Sequence, residues 1–203
     1  ERLSDLMALV LLAALGAAKY GGPKAIPLLA VAGAGMVGGV FVLQSEPATG
    51  LLLALLGRVK PLQGLSAKLG EGLGSARTLL QPTPLLLGVL LSSLAWWAEC
   101  LEYLFAFRGF GITTMEHGVA VFGYAFSTLA GVISPGGLGP TDIGLIEIAR
   151  RFTPALEGHD DIAAAAAFIV RVCTLWFAVG LGAIALLRFR KLVAVEVDAA
   201  REG

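Results

Sequence analysis

The sequence predicts an all-α polytopic membrane helix bundle with a re-entrant helical hairpin. Of its 203 residues, 57% are hydrophobic and only 15% are charged, whereas a soluble domain carries about 25% charged residues. Several apolar segments approach the roughly 20 residues that cross a hydrocarbon core of about 30 Å. A Gly/Pro-rich break, SPGGLGPTDIG at 134–144, interrupts this pattern. Irregular backbone at membrane depth survives only inside protein or beside a wet cavity.

Four segments predict membrane-crossing helices, at 3–18, 27–43, 84–107 and 162–187. Between the second and third, residues 49–81 repeat leucines at helical spacing and carry several basic residues. This pattern is typical of an amphipathic helix at the membrane surface. A plain flexible loop is the alternative for that segment.

Lysine and arginine concentrate in 44–83 and after residue 187, which predicts that both regions are cytoplasmic. The third span then leads outward and the last leads inward, so residues 115–152 must begin and end outside. The arm 140–152 rises only about 20 Å, too short to cross alone, and a re-entrant hairpin satisfies both constraints. We therefore predict a transmembrane domain at 1–190 and a cytoplasmic tail at 191–203.

Charged residues lie within the predicted spans. Glu99 and Glu102 share one helix face in the third span, and Arg171 lies near the centre of the last. Isolated charges at this depth are costly, so we expect these side chains to face inward and to pair. They form either an ion pair that joins two helices or a polar cavity for a charged headgroup, which we favour.

The break itself carries a second group of candidate binding residues. Gly136, Gly137 and Gly139 permit positive φ and a close approach of backbone to ligand. Thr141 opens the next helix, whose free N–H groups suit a phosphate. Asp142 is either part of this binding site or simply a cap of that helix, and as a cap it would repel an anion. Both roles of Asp142 stay open.

Other signals predict no cofactor, metal or nucleic-acid partner. Residues 33–38 match a GxGxxG spelling inside an apolar span, without the βαβ context that a dinucleotide site needs. Cys100 and Cys173 lack the spacing of a metal site. Gly35 and Gly39 predict a close helix-packing face, which is compatible with a homo-oligomer.

Four sequence features occur together in one order. Glu1-Arg2-x-x-Asp5 opens a span, and a span rich in tryptophan and acid follows. The segment 134–139, SPGGLG, has an acid three residues later, and VRVCTLW at 170–176 places Arg171 in the final span. This order resembles the lysylphosphatidylglycerol synthase/flippase transmembrane family over nearly the whole chain.

The resemblance implies a multi-pass protein of the cell membrane that handles phospholipids, including aminoacylated ones. It also implies missing N-terminal membrane helices of the same protein. By position, Gly136, Gly137, Gly139 and Asp142 would form the re-entrant tip, and Arg171 the facing charge. Two departures bear on headgroup preference: the family more often has Glu at 142, and a basic residue is common at 141.

We therefore expect a flippase-like protein that binds phospholipid or aminoacyl-phospholipid headgroups and moves them across the membrane. The candidate substrate-binding residues are Glu99, Glu102, Gly136, Gly137, Gly139, Thr141, Asp142 and Arg171. One alternative is a membrane-embedded enzyme or accessory subunit acting on lipid-linked sugars or amino acids, with the carboxylates as acid and base. Because the chain carries no catalytic motif, this alternative is less favoured. Another is a small-solute transporter.

Overall fold

The computed structural model describes residues 2–57, 77–132 and 134–202, and within these ranges the secondary structure is helical, without strands. The helices are α1 (Arg2–Tyr20), α2 (Gly22–Gln44), α3 (Glu46–Gly57), α4 (Pro82–Gly109), α5 (His117–Gly131), α6 (Pro140–Phe152), α7 (Asp160–Arg171) and α8 (Phe177–Glu202). A short 3-10 helix at Pro135–Gly137 lies between α5 and α6, and a short π-helix at Val172–Trp176 joins α7 to α8. The predicted all-α membrane helix bundle is confirmed.

Within the described ranges, four helical segments are long and apolar enough to cross a membrane. They are α1, α2, α4 and the continuous stretch Asp160–Phe189. The domain limit at 190 and the cytoplasmic tail at 191–203 stay predictions. The predicted amphipathic segment 49–81 begins in α3, and its residues 58–76 lie outside the described part of the chain.

Helix α1 lies at the centre of the bundle. Its buried residues form one stripe at helical spacing and are Ala8, Leu9, Leu12, Ala13, Gly16 and Ala17. Such a stripe is the face that an amphipathic helix turns toward its neighbours, and here it packs against α5, α4 and α2.

Helix α2, in contrast, leaves most of its apolar surface open, as a lipid-facing helix does. Phe41 is 73% exposed. A Cβ added at Gly35 or Gly39 would meet nothing within 4 Å. The close packing face predicted at these glycines has no partner helix among the described residues, and oligomerisation through it stays a prediction.

Helices α5 and α6 pack against each other as a hairpin. Tyr20 of α1 contacts both ends of this hairpin. Its hydroxyl donates to Oε2 of Glu116, just before α5, at 2.6 Å, and its ring packs edge-on against Phe152, at the end of α6, with centroids 5.4 Å apart. The chain therefore enters α5 and leaves α6 at the same end of the bundle, as a re-entrant hairpin requires.

An exposed ion pair closes the same end. The Lys19 ammonium lies 2.5 Å from Glu116 Oε2. Hydrogen bonds from Lys19 and Tyr20, with the charge of Lys19, hold the pKa of the Glu116 carboxyl below its usual range. This cluster ties the C-terminus of α1 to the start of the hairpin.

Helix α4 is fixed to the second arm of the hairpin through buried aromatic groups. Tyr103 and Phe107 are fully buried and pack edge-on with centroids 5.2 Å apart. The Tyr103 hydroxyl donates to the carbonyl of Leu145 at 2.5 Å. These contacts set the rotation of α4 and so determine which of its side chains face the interior.

Candidate functional site

A cavity of about 720 Å³ lies where α1, α4, the hairpin tip and the last span meet. Its volume falls within the range of about 300–1,000 Å³ that is usual for ligand pockets. Its charged wall residues are Arg2, Asp5, Glu99 and Arg171. Its hydroxyl-bearing wall residues are Tyr124, Thr128, Ser134, Thr141 and Thr174. This concentration of polar groups among apolar helices marks the candidate site.

The glycine-rich break forms the tip of the hairpin. Gly136, Gly137 and Gly139 adopt φ values of 65°, 70° and 86°, a region that glycine enters without the steric cost of a Cβ. The Ser134 hydroxyl lies 3.1 Å from the carbonyl of Leu138 and braces the turn. Gly136 and Gly137 line the cavity, whereas Gly139 lies behind them at the start of α6.

Arg171 connects the last span to this tip. Its Nη2 donates to the carbonyl of Gly136 at 2.5 Å, and its Nε lies 3.0 Å from Asp142 Oδ1. The Nε contact is an ion pair without the alignment of a hydrogen bond. The side chain is only 15% exposed and also borders the cavity. Directly after Arg171 the helix widens into the short π-helix, a local distortion that is frequent at functional sites.

Asp142 caps helix α6. Its Oδ2 accepts a hydrogen bond from the backbone N–H of Gly139 at 2.9 Å, and its Oδ1 faces Arg171. A carboxylate at this position accepts a hydrogen bond from a free N–H, and its negative charge interacts favourably with the positive end of the helix dipole. Asp142 therefore caps α6 and is not among the residues that line the cavity, and its role in binding stays a prediction.

Glu99 faces the cavity from α4. The Tyr124 hydroxyl donates to its Oε2 at 2.5 Å, and the Trp96 ring flanks Tyr124 with centroids 6.4 Å apart. Glu102 does not line the cavity: it faces Cys173 on the last span, and its buried Oε1 has no hydrogen-bond partner among the described residues.

The pairing expected between the carboxylates of α4 and Arg171 differs in the structure. Arg171 pairs with Asp142, while Glu99 accepts from Tyr124. The physical reason is the hairpin, whose tip reaches the depth of Arg171 and supplies a nearer carboxylate. The binding roles of all the candidate residues stay predictions.

Sequence reasoning missed several cavity residues on the helices that flank the tip. Asp5 accepts from the Ser92 hydroxyl at 2.7 Å, which joins α1 to α4. Tyr124 and Thr128 come from α5. Their four-residue spacing places both on one helix face, a signal that could have found them.

The arrangement offers two kinds of ligand chemistry. A guanidinium and hydroxyl groups suit an anionic oxygen, and the carboxylates suit a cationic group. Within the described residues no group of three or more His, Cys, Asp or Glu side chains could hold a metal ion.

The chain was compared with known protein families and known proteins. The family model described as the lysylphosphatidylglycerol synthase TM region matches residues 1–182. A "UPF0104 membrane protein" of Methanothermobacter thermautotrophicus is 29% identical over 129 residues, which are 61% of this chain and 37% of that protein. The chain thus spans well under half the length of this relative. No solved structure matches the chain.

The family match covers α1 to α7, the glycine-rich tip, Arg171 and the start of α8, and so includes every residue that lines the cavity. The chain is an integral membrane protein, and it belongs to the family of lysylphosphatidylglycerol synthase transmembrane regions.

Proposed function

We propose that this domain binds phospholipid or aminoacyl-phospholipid headgroups and moves them across the cell membrane. The observation that carries the proposal is the charged cavity at the tip of a re-entrant hairpin. A lipid headgroup crosses a membrane only if polar groups replace its hydration, since an unsatisfied polar group in hydrocarbon costs several kcal/mol.

The cavity has an apolar edge, which supports lipid entry from the side. Val132 borders the cavity and is 56% exposed, and Leu138 at the tip is 55% exposed. A headgroup can enter past such side chains while its acyl chains stay in the surrounding lipid. A site for a small hydrophilic solute has no need of an apolar edge.

In this mechanism Arg171 and Thr141 bind the phosphate. Guanidinium groups form strong, paired hydrogen bonds with phosphate oxygens. Since Arg171 already pairs with Asp142, an incoming phosphate exchanges with that carboxylate and loosens the tip. Gly139 and Glu102 support the wall from behind, and Asp5 and Glu99 face the remaining part of the headgroup.

Movement of a fluorescent, tail-labelled phospholipid in proteoliposomes tests the proposal, with the accessible fraction read out by a membrane-impermeant quencher. We expect Arg171→Ala to slow movement by about 10-fold to 100-fold, because a hydrogen bond to a charged group contributes about 1.5–3 kcal/mol. Arg108→Ala is the matched control: Arg108 is an exposed arginine near the end of α4 that stacks on Phe105. We expect it to leave the rate unchanged.

The competing functions give different results in the same vesicles. Folded protein that moves no lipid contradicts the proposal. Covalent turnover of a lipid-linked substrate indicates a membrane-embedded enzyme. Ion or solute flux without lipid movement indicates a small-solute transporter.

A further inference from the structure

The charges around the cavity do not balance. Its surroundings hold two guanidinium groups, Arg2 and Arg171, and four carboxylates, which are Asp5, Glu99, Glu102 and Asp142. Asp5 on α1 and Glu102 on α4 are both close enough to Glu99 for their charges to interact. With every group ionised, the cavity region carries excess negative charge among apolar helices.

Two of the carboxylates that line the cavity, Glu99 and Asp5, have no counter-ion among the described residues, and Glu99 lies between the charges of Asp5 and Glu102. Arg171 is engaged by Asp142 and by the Gly136 carbonyl. No ion pair involves Glu99 in the part of the chain that the structure describes. Its contact is the neutral Tyr124 hydroxyl. An ionised carboxylate in this situation is costly, and such groups within membrane helices commonly mark ion or proton pathways.

We propose that Glu99 is a proton-binding site through which the charge of the cavity follows the aqueous pH. A proton needs only one carboxylate, whereas a bound metal ion needs several oxygen ligands. The described residues contain no such cluster of acidic, histidine or cysteine side chains.

The step is a simple protonation. A proton from the aqueous phase forms an O–H bond on a Glu99 oxygen, and the cavity becomes less negative by one charge. Tyr124 can stay in contact in both states, because a phenol both donates and accepts hydrogen bonds. If the proposed function holds, one proton is bound or released as the charge of the headgroup enters or leaves.

Infrared difference spectroscopy of the full chain in lipid vesicles tests the proton site without requiring transport. A carboxylic-acid C=O band that appears when the pH is lowered to about 5.5, where exposed carboxylates remain ionised, should be present in the native protein and absent in Glu99→Gln. Glu102→Gln and Asp5→Asn remove the two other carboxylates of the cavity region that have no ion pair among the described residues, and both variants should retain the band. Absence of the band in the native protein, or its loss in either competing variant but not in Glu99→Gln, overturns the assignment.

A second variant keeps the test valid if Glu99→Gln does not fold. Tyr124→Phe retains the carboxyl group but removes its hydroxyl partner, so the band should persist at a shifted frequency. An unshifted band places the titrating group elsewhere. Lipid movement measured separately distinguishes the two proposals, because vesicles that move no lipid can still show the Glu99 band.

Discussion

Arg171 Nε lies 3.0 Å from Asp142 Oδ1, so an ion pair joins the last membrane helix to the second arm of the hairpin. The same guanidinium donates to the carbonyl of Gly136 at the tip. One side chain therefore holds the tip in place and presents positive charge to the cavity. Variants at Arg171 must for this reason be measured for stability as well as for lipid movement.

Arg171→Ala should lower the thermal stability of the detergent-solubilised protein. Removing one partner of a buried ion pair costs about 3–5 kcal/mol, and the partial exposure of Asp142, at 34%, favours the lower end. The double variant Arg171→Ala/Asp142→Asn should recover part of the loss, because no unpaired carboxylate remains. Additive losses in this cycle would show that the two side chains do not interact.

Gly137→Ala should destabilise the tip. Its φ is 70°, and an added Cβ would lie 2.7 Å from Thr141 Oγ1. A left-handed conformation costs a residue with a Cβ about 1–2 kcal/mol before any clash. Gly35→Ala is the matched control, since its Cβ would meet nothing within 4 Å, and we expect unchanged or higher thermal stability there. Equal melting temperatures for both variants would contradict the described tip.

The hairpin could be predicted from the sequence because its main signals, the turn residues and the short second arm, are local. The glycines and prolines of 134–140 interrupt an apolar stretch, and the 13 residues of α6 are too few to cross the membrane. Lysine and arginine asymmetry supplied the remaining constraint. None of these inferences depends on which helices are neighbours.

The partners inside the cavity could not be predicted, because they depend on the depth and rotation of neighbouring helices. Arg171 and Glu99 lie at similar depths in their own spans, which suggested a pair. The tip brings Asp142 nearer to Arg171, and α5 turns Tyr124 toward Glu99. A shift of one residue in any of these helices would exchange these contacts, and no single-sequence pattern encodes that register.

Tyr103→Phe should reduce stability by about 1 kcal/mol, the usual net contribution of one hydrogen bond. The Tyr103 hydroxyl is fully buried and donates to Leu145 in α6. Tyr20→Phe provides a comparison, since the Tyr20 hydroxyl binds an exposed carboxylate and its removal should have a smaller effect. Thermal unfolding of both variants in one detergent compares the two losses of stability. A larger loss of stability in Tyr20→Phe than in Tyr103→Phe would contradict the prediction.

The Lys19–Glu116 contact should make the open end of the hairpin sensitive to acid. Because the pKa of the folded Glu116 carboxyl is lowered, its stabilisation is fully present above the unfolded carboxyl pKa of about 4.3. It is lost as the pH falls through the lowered folded pKa. Both side chains are more than half exposed, so the effect should be small and weakened by salt. Melting temperatures measured between about pH 3 and 6 should fall less steeply in Glu116→Gln than in the native protein. Parallel curves would show that this contact does not affect folding.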